Sequence, residues 1–297
     1  MSTIERALEK QNASSAQAGK VETENALTNE SSASSNTANI PPVPEAVASD
    51  DGVKYVSIDW DDLDAKGFVS VKNSRKLINE EYRAIKRKVL KNAFGPLAKT
   101  LNNANVIMVT SAKPSEGKTF TAVNLALSIA LEQDKTVLLV DADVLKPNVM
   151  PTLGLENQEG LMEYLLGEKS DVSEVMLKTE LDKLRIIAAG RSHHLSAELL
   201  ASENMIKTVN EFSSRYPDRV VIVDTPPLLG INETAILANL AGQAVIVVEE
   251  SGSKLRDIKQ ATEQLNPDMA KGFVVNKSIH TQNDKYYGYY YSDKKQG

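Results

Sequence analysis

Residues 105–130 read NVIMVTSAKPSEGKTFTAVNLALSIA. The stretch opens on an unbroken apolar run, Val106 to Val109, the pattern of a strand buried on both faces. Pro114, Ser115 and Gly117 then signal a turn, and TAVNLALSIA has helical composition. Inside the turn, Ala112 to Thr119 spells A-x-x-x-x-G-K-T, a Walker A sequence with alanine at its first glycine. Strand, turn and helix in this order form the setting in which such a loop binds phosphate. Its backbone N–H groups converge on phosphate oxygens, and the start of the following helix adds positive dipole. The nucleotide is therefore expected on Ala112, Pro114, Ser115, Glu116, Gly117, Lys118, Thr119 and Phe120. Lys118 is expected at the β- and γ-phosphates, and Thr119 on Mg²⁺.

Outward from this stretch the pattern repeats. KTVLLVD, LRIIAAG, RVVIVDT, QAVIVVEE and GFVVNKS are strand candidates. Helical segments near 118–132, 196–214, 232–240 and 252–266 lie between several of them. Alternation of this kind predicts an α/β fold with a doubly wound, mostly parallel sheet flanked by helices. Two further acidic sites end such strands: Asp141 and Asp143 in TVLLVDAD, and Asp224 in VVIVDTPP. Ligands of open α/β sheets bind at that carboxyl edge. A carboxylate ending a buried strand needs a compensating partner, and a metal ion serves. Thr119, Asp141 and Asp224 are the metal candidates.

The flanks differ in kind. Residues 1–10, MSTIERALEK, allow a short amphipathic helix, and residues 11–73 read mostly as disordered or irregular linker. Residues 74–103 begin with apolar positions at helical spacing, opposed by Arg83, Lys86, Arg87, Lys88 and Lys91. Residues 104–278 form the phosphate-binding domain, and 279–297 a polar tail. That tail holds Tyr286, Tyr287, Tyr289, Tyr290 and Tyr291, five of the chain's nine tyrosines.

Composition narrows the chemistry. With no cysteine, the chain has no disulfide, thiolate nucleophile or cysteine metal site. Three histidines and a net charge of −6 argue against a histidine-metal enzyme and a nucleic-acid binder. No apolar run approaches the roughly 20 residues that span a bilayer, and the N-terminus lacks signal-peptide features. A cytoplasmic protein is expected.

Together, LLVDAD after the phosphate loop, VVIVDTPP, and the tyrosine cluster resemble the bacterial tyrosine kinases. These are P-loop NTPases related to the MinD/ParA ATPases. EEYRAIKRKVL is similar to that family's E-x-x-R-x-x-R helix, here Glu80, Arg83 and Lys86, with Arg87 beside the third position. The opening STIERALE, ELLAS at 198–202 and RYPDR at 215–219 resemble the exosortase-associated tyrosine autokinases of exopolysaccharide operons. Leu145 and Glu233 depart from the family pattern, which has Arg and Asp there.

The resemblance implies an ATP- and Mg²⁺-dependent tyrosine autokinase, with Lys118, Asp141 and Asp143 catalytic; Thr119 and Asp141 would hold Mg²⁺ directly or through water, with Asp224 behind them. Asp141 or Asp143 would take the tyrosine proton. Asn276 either contacts adenine or caps the turn after its strand, and Lys113 is expected to be a solvated loop residue. Glu80, Arg83 and Lys86 would assemble a ring in which tail tyrosines are phosphorylated in trans. The family's partners would be an inner-membrane chain-length-determinant (polysaccharide co-polymerase) protein, which activates the kinase and holds it peripherally at the membrane, and a tyrosine phosphatase. The rival reading is a MinD/ParA-type positioning ATPase.

Overall fold

The strands expected from the apolar runs all form, and their connections determine where the site opens. The protein is described here from a computed structural model covering residues 54–278. The expectations for residues 1–10, 11–53 and 279–297 lie outside the described residues.

In chain order the elements are α1 (Trp60–Ala65), α2 (Leu77–Phe94), β1 (Val106–Ser111), α3 (Lys118–Ala130), β2 (Thr136–Asp141), α4 (Val149–Thr152) and α5 (Leu161–Leu165). They continue with β3 (Met176–Lys178), β4 (Leu184–Ile187), α6 (Ser196–Leu200), α7 (Glu203–Ser214) and β5 (Arg219–Asp224). The last are α8 (Asn232–Ala238), β6 (Gln243–Glu249), α9 (Leu255–Thr262) and β7 (Ala270–Asn276).

One sheet runs β3-β4-β2-β5-β1-β6-β7. Every neighbouring pair is parallel except β3 with β4. Side chains alternate between two buried layers. Val106, Met108, Leu138, Val140, Val221 and Val223 face one, with Met205 and Phe212 of α7. Ile107, Val109, Leu139, Ile222 and Val247 face the other, with Tyr82 of α2 and Leu125 of α3. Burial on both faces is why these strands are unbroken apolar runs.

Residues 54–72 correct the linker expectation. They wrap the domain as an ordered strap. The Val56 N–H donates to the Lys178 carbonyl and the Lys178 N–H to that of Lys54, both at 2.9 Å. The Asp59 carboxylate caps α1 by accepting from the N–H groups of Asp61 and Asp62. Leu63, Phe68 and Val69 are buried. The Val69 N–H donates to Asn124 Oδ1 on α3 at 2.6 Å, and Asn79 of α2 exchanges two hydrogen bonds with the Ser70 backbone. Averaged composition hid these few apolar residues among charged neighbours, and their partners are remote in sequence.

Phe68 is 6% exposed, and its ring centroid is 4.8 Å from that of Phe120 in the first turn of α3. Phe68→Ala is expected to destabilise the protein by about 3 kcal/mol. Urea unfolding measures this, and a loss under about 1 kcal/mol would mean the strap barely supports the core.

Lys86 also departs from expectation. It lies on the face of α2 that carries Tyr82 and Val89 and is 5% exposed. Its ammonium donates to the Ser128 carbonyl at 3.0 Å and pairs with Glu132 at 2.5 Å. Four residues after Tyr82 and three before Val89, it shares their side of the helix. Glu132 and the carbonyl near the end of α3 compensate its charge. Lys86 is thus an internal brace, unavailable to a second copy. Glu80 and Arg83 pair with each other one turn apart and stay partly exposed.

Candidate functional site

The carboxyl ends of β1, β2 and β5 meet at one edge, where the order of strands reverses about β1. The loop leaving β1, Ala112–Gly117, turns into α3 through two left-handed residues, Ser115 at φ 68° and Gly117 at φ 98°. Such a turn aims successive N–H groups at one point, an anion-binding concavity. Gly117 is required twice over. Its φ suits glycine, and a Cβ there would stand 1.9 Å from Asn276 Nδ2.

Lys118 opens α3 and its Nζ lies 2.9 Å from Asp143 Oδ2, with both side chains largely buried. The Thr119 hydroxyl donates to Asp224 Oδ2 at 2.6 Å. Asp141 and Asp224 are in-register partners on β2 and β5. Asp141 Oδ1 accepts the Asp143 N–H at 3.1 Å, and its Oδ2 accepts those of Asn148 and Val149 at 3.0 Å. Asp143 Oδ1 accepts from the Lys146 N–H.

Burial pushes the Asp141 carboxyl upward, against those three N–H donors. Asp224 is pushed further up by burial and then by the charge of Asp141, with Lys118 and Thr119 opposing. Three acidic groups around one lysine call for another cation.

The residues fit Mg²⁺. Asp224 Oδ1 is buried with no hydrogen-bond partner, beside the hydroxyl of Thr119. Among the described residues no group of three or more His or carboxylate side chains forms a metal cage. Mg²⁺ needs none, since it keeps waters and takes one or two carboxylates with phosphate oxygens. Asp141 already accepts three N–H bonds, whereas Asp224 has an oxygen to give.

Some expected nucleotide contacts take other forms. Ala112 is fully buried, and Pro114 and Ser115 are exposed on the loop. The Glu116 carboxylate is turned into its own loop, accepting the Lys113 N–H at 2.8 Å and the Ser253 hydroxyl. The Phe120 ring packs on Phe68. Asn276 Nδ2 donates to the Glu116 carbonyl at 2.9 Å, so this amide grips the loop. Lys113 is paired with Asp257 on α9. No sequence signal marked Ser253 or Asp257, which reach the loop across more than a hundred residues.

A family model described as an AAA domain matches residues 104–271. The tyrosine-protein kinase YwqD of Bacillus subtilis (strain 168) is 32% identical over 227 residues, 76% of this chain and 91% of that protein. The tyrosine-protein kinase Wzc of Salmonella typhimurium (strain LT2) is 33% identical over 190 residues. That match spans 63% of this chain but only 26% of the longer relative. The kinase domain of the Escherichia coli tyrosine kinase ETK superposes with a TM-score of 0.61, covering 78% of this chain and 94% of that one. At 24% identity this is a likeness of fold. With the strand-edge aspartates gathered around a phosphate loop, and a near-full-length match to YwqD, the chain belongs to the bacterial tyrosine-protein kinases.

Proposed function

We propose that this chain is an ATP-dependent tyrosine autokinase whose acceptors are Tyr286, Tyr287, Tyr289, Tyr290 and Tyr291 of a neighbouring copy. The observation that carries the reading is the Lys118–Asp143 and Thr119–Asp224 arrangement at one sheet edge. Phosphoryl transfer demands mostly positioning and charge neutralisation, and this edge supplies both. Loop N–H groups and Lys118 hold the triphosphate in line with the incoming phenol. Thr119 and Asp224 would hold Mg²⁺, which when bound would offset the charge of the phosphate oxygens.

A phenol of pKa near 10 must give up its proton as its oxygen joins the γ-phosphorus and the bond to ADP breaks. Asp143, which holds Lys118, and Asp141, beside Asp224, are the two proton acceptors at that edge. Asn276 closes β7 ten residues before Tyr286, a length of chain that spans at most about 35 Å and in this reading carries the cluster to another subunit. In this reading Glu80 and Arg83, without Lys86, contribute to a ring between copies. Each phosphate adds roughly −1.5 to −2 charge, so heavily phosphorylated tails repel one another and loosen the ring.

The motif resemblance to autokinases of exopolysaccharide operons extends the proposal to control of polysaccharide chain length and export. The activator is then an inner-membrane chain-length-determinant protein, opposed by a tyrosine phosphatase. Among the described residues no helix is long and apolar enough to cross a membrane; in this reading membrane contact runs through that partner.

Mass spectrometry of the 279–297 peptide after incubation with Mg·ATP and the activator's cytoplasmic segment tests the reading. Phosphate on the cluster is expected. ATP hydrolysis with a bare tail would overturn it in favour of a positioning ATPase.

A further inference from the structure

Glu116 is out of place in a loop that receives phosphate. A carboxylate only 3% exposed beside the triphosphate oxygens would repel them unless it were held elsewhere. Its Oε2 accepts the Lys113 N–H at 2.8 Å, and its Oε1 accepts the hydroxyl of Ser253. Ser253 Oγ in turn accepts the Glu249 N–H at 2.8 Å. Asn276 Nδ2 donates to the Glu116 carbonyl at 2.9 Å.

Glu249 and Asn276 are in-register partners at the ends of β6 and β7. Two adjacent strand ends therefore grip one loop residue, one through its side chain and the other through its backbone. The grip leaves no slack, since Gly117 and the Asn276 amide are so close that even a Cβ would collide. The Lys113–Asp257 pair ties the outer part of the loop to α9, where the Asp257 side chain is 7% exposed.

We propose that Ser253 and Asn276 are positioning residues for ATP, acting through Glu116. Ser253 gives its hydrogen bond to Glu116. Its hydroxyl keeps the Glu116 carboxylate folded back onto the Lys113 N–H, so the loop's remaining N–H groups are left open to phosphate. Asn276 holds the carbonyl of the same residue, setting the plane of the peptide whose N–H belongs to Gly117. The proposal rests on the reading of this loop as the ATP site and names the residues that shape it.

Loss of the Ser253 hydroxyl frees a charged oxygen beside the phosphates. In the full chain, Ser253→Ala is expected to raise KM for ATP about tenfold, with kcat within about twofold, the scale of one hydrogen bond to a charged group. ADP release under Mg·ATP reads both constants. Ser253→Thr keeps the hydroxyl and should restore KM. Adding Glu116→Gln to Ser253→Ala should also recover part of the loss, because it removes the freed charge. A merely structural role would lower thermal stability with neither the KM shift nor that recovery.

Should Ser253→Ala fail to fold, Ser253→Cys, with a weak donor of similar size, carries the same comparison. Wild type that turns over ATP, beside a variant with unchanged KM, would overturn the positioning role and leave the ATP site standing. Wild type that neither binds nor turns over Mg·ATP would overturn both. An Asn276→Ala variant should show the same KM-selective loss.

Discussion

Lys118→Met is expected to lower tyrosine-phosphate formation at saturating Mg·ATP by at least about a hundredfold, the scale of removing one preorganised charge stabiliser. Lys118 sits in the first turn of α3, 13% exposed, with its ammonium 2.9 Å from Asp143. Around it stand Asp141, Asp143 and Asp224, and no other lysine or arginine pairs with that set among the described residues. Its removal withdraws the protein's own cation from the developing phosphate charge. It also leaves a nearly buried carboxylate unpaired, so a stability loss of a few kcal/mol should accompany the loss of rate.

Lys118→Arg separates the two effects. A guanidinium can still pair with Asp143, so stability should return. Its planar fork does not reproduce a compact ammonium at the phosphates, so rate should stay low. Initial rates of phosphate incorporation, set beside urea unfolding of each variant, measure this. A Lys118→Met enzyme within tenfold of wild type would remove Lys118 from the transfer step.

Asp224→Asn is expected to separate activity from stability in the opposite sense. The Asp224 carboxylate is fully buried, in register with Asp141 and with one oxygen lacking any hydrogen-bond partner. Burial and the Asp141 charge raise its pKa, so the folded state disfavours its ionised form. In the unfolded chain the group ionises near pH 4. Wild-type stability in chelator should therefore fall as pH rises from about 4 through the raised folded value.

The asparagine variant lacks that fall and should match or exceed wild type at neutral pH, with the gap widening as pH rises through that window. Its activity should nonetheless drop at least about a hundredfold, because the oxygen proposed for Mg²⁺ loses its charge. Paired urea titrations at several pH values and a Mg²⁺ dependence of rate decide the matter. A variant that is both active and less stable would show that Asp224 is a structural acid rather than a metal ligand.

What could be read locally was read from the sequence. The unbroken apolar runs required a sheet buried on both faces, and A-x-x-x-x-G-K-T after the first of them located the phosphate loop. Aspartates directly after apolar runs had to lie at the sheet's carboxyl edge, whatever the strand order. These features depend on period, turn chemistry and chain direction, all properties of a few neighbouring residues.

Tertiary structure decided everything that depends on register or on a distant partner. Strand order made Asp141 and Asp224 neighbours, and the N–H groups of Asn148 and Val149 then occupied one and left the other an oxygen to give. The edge strand β3 is three residues long and antiparallel, too short to show a pattern of its own. Lys86 reads as a surface cation until α3 and the turn after it present the Ser128 carbonyl and Glu132 to it. Residues 54–72 read as linker until Asn79 and Asn124 pair with their backbone. The hold on the phosphate loop joins Glu116 to Ser253 and Asn276, residues set together only because β6 and β7 end side by side. A side chain's charge and size are written at its position, but its desolvation and partners are supplied by chain that returns from far along the sequence.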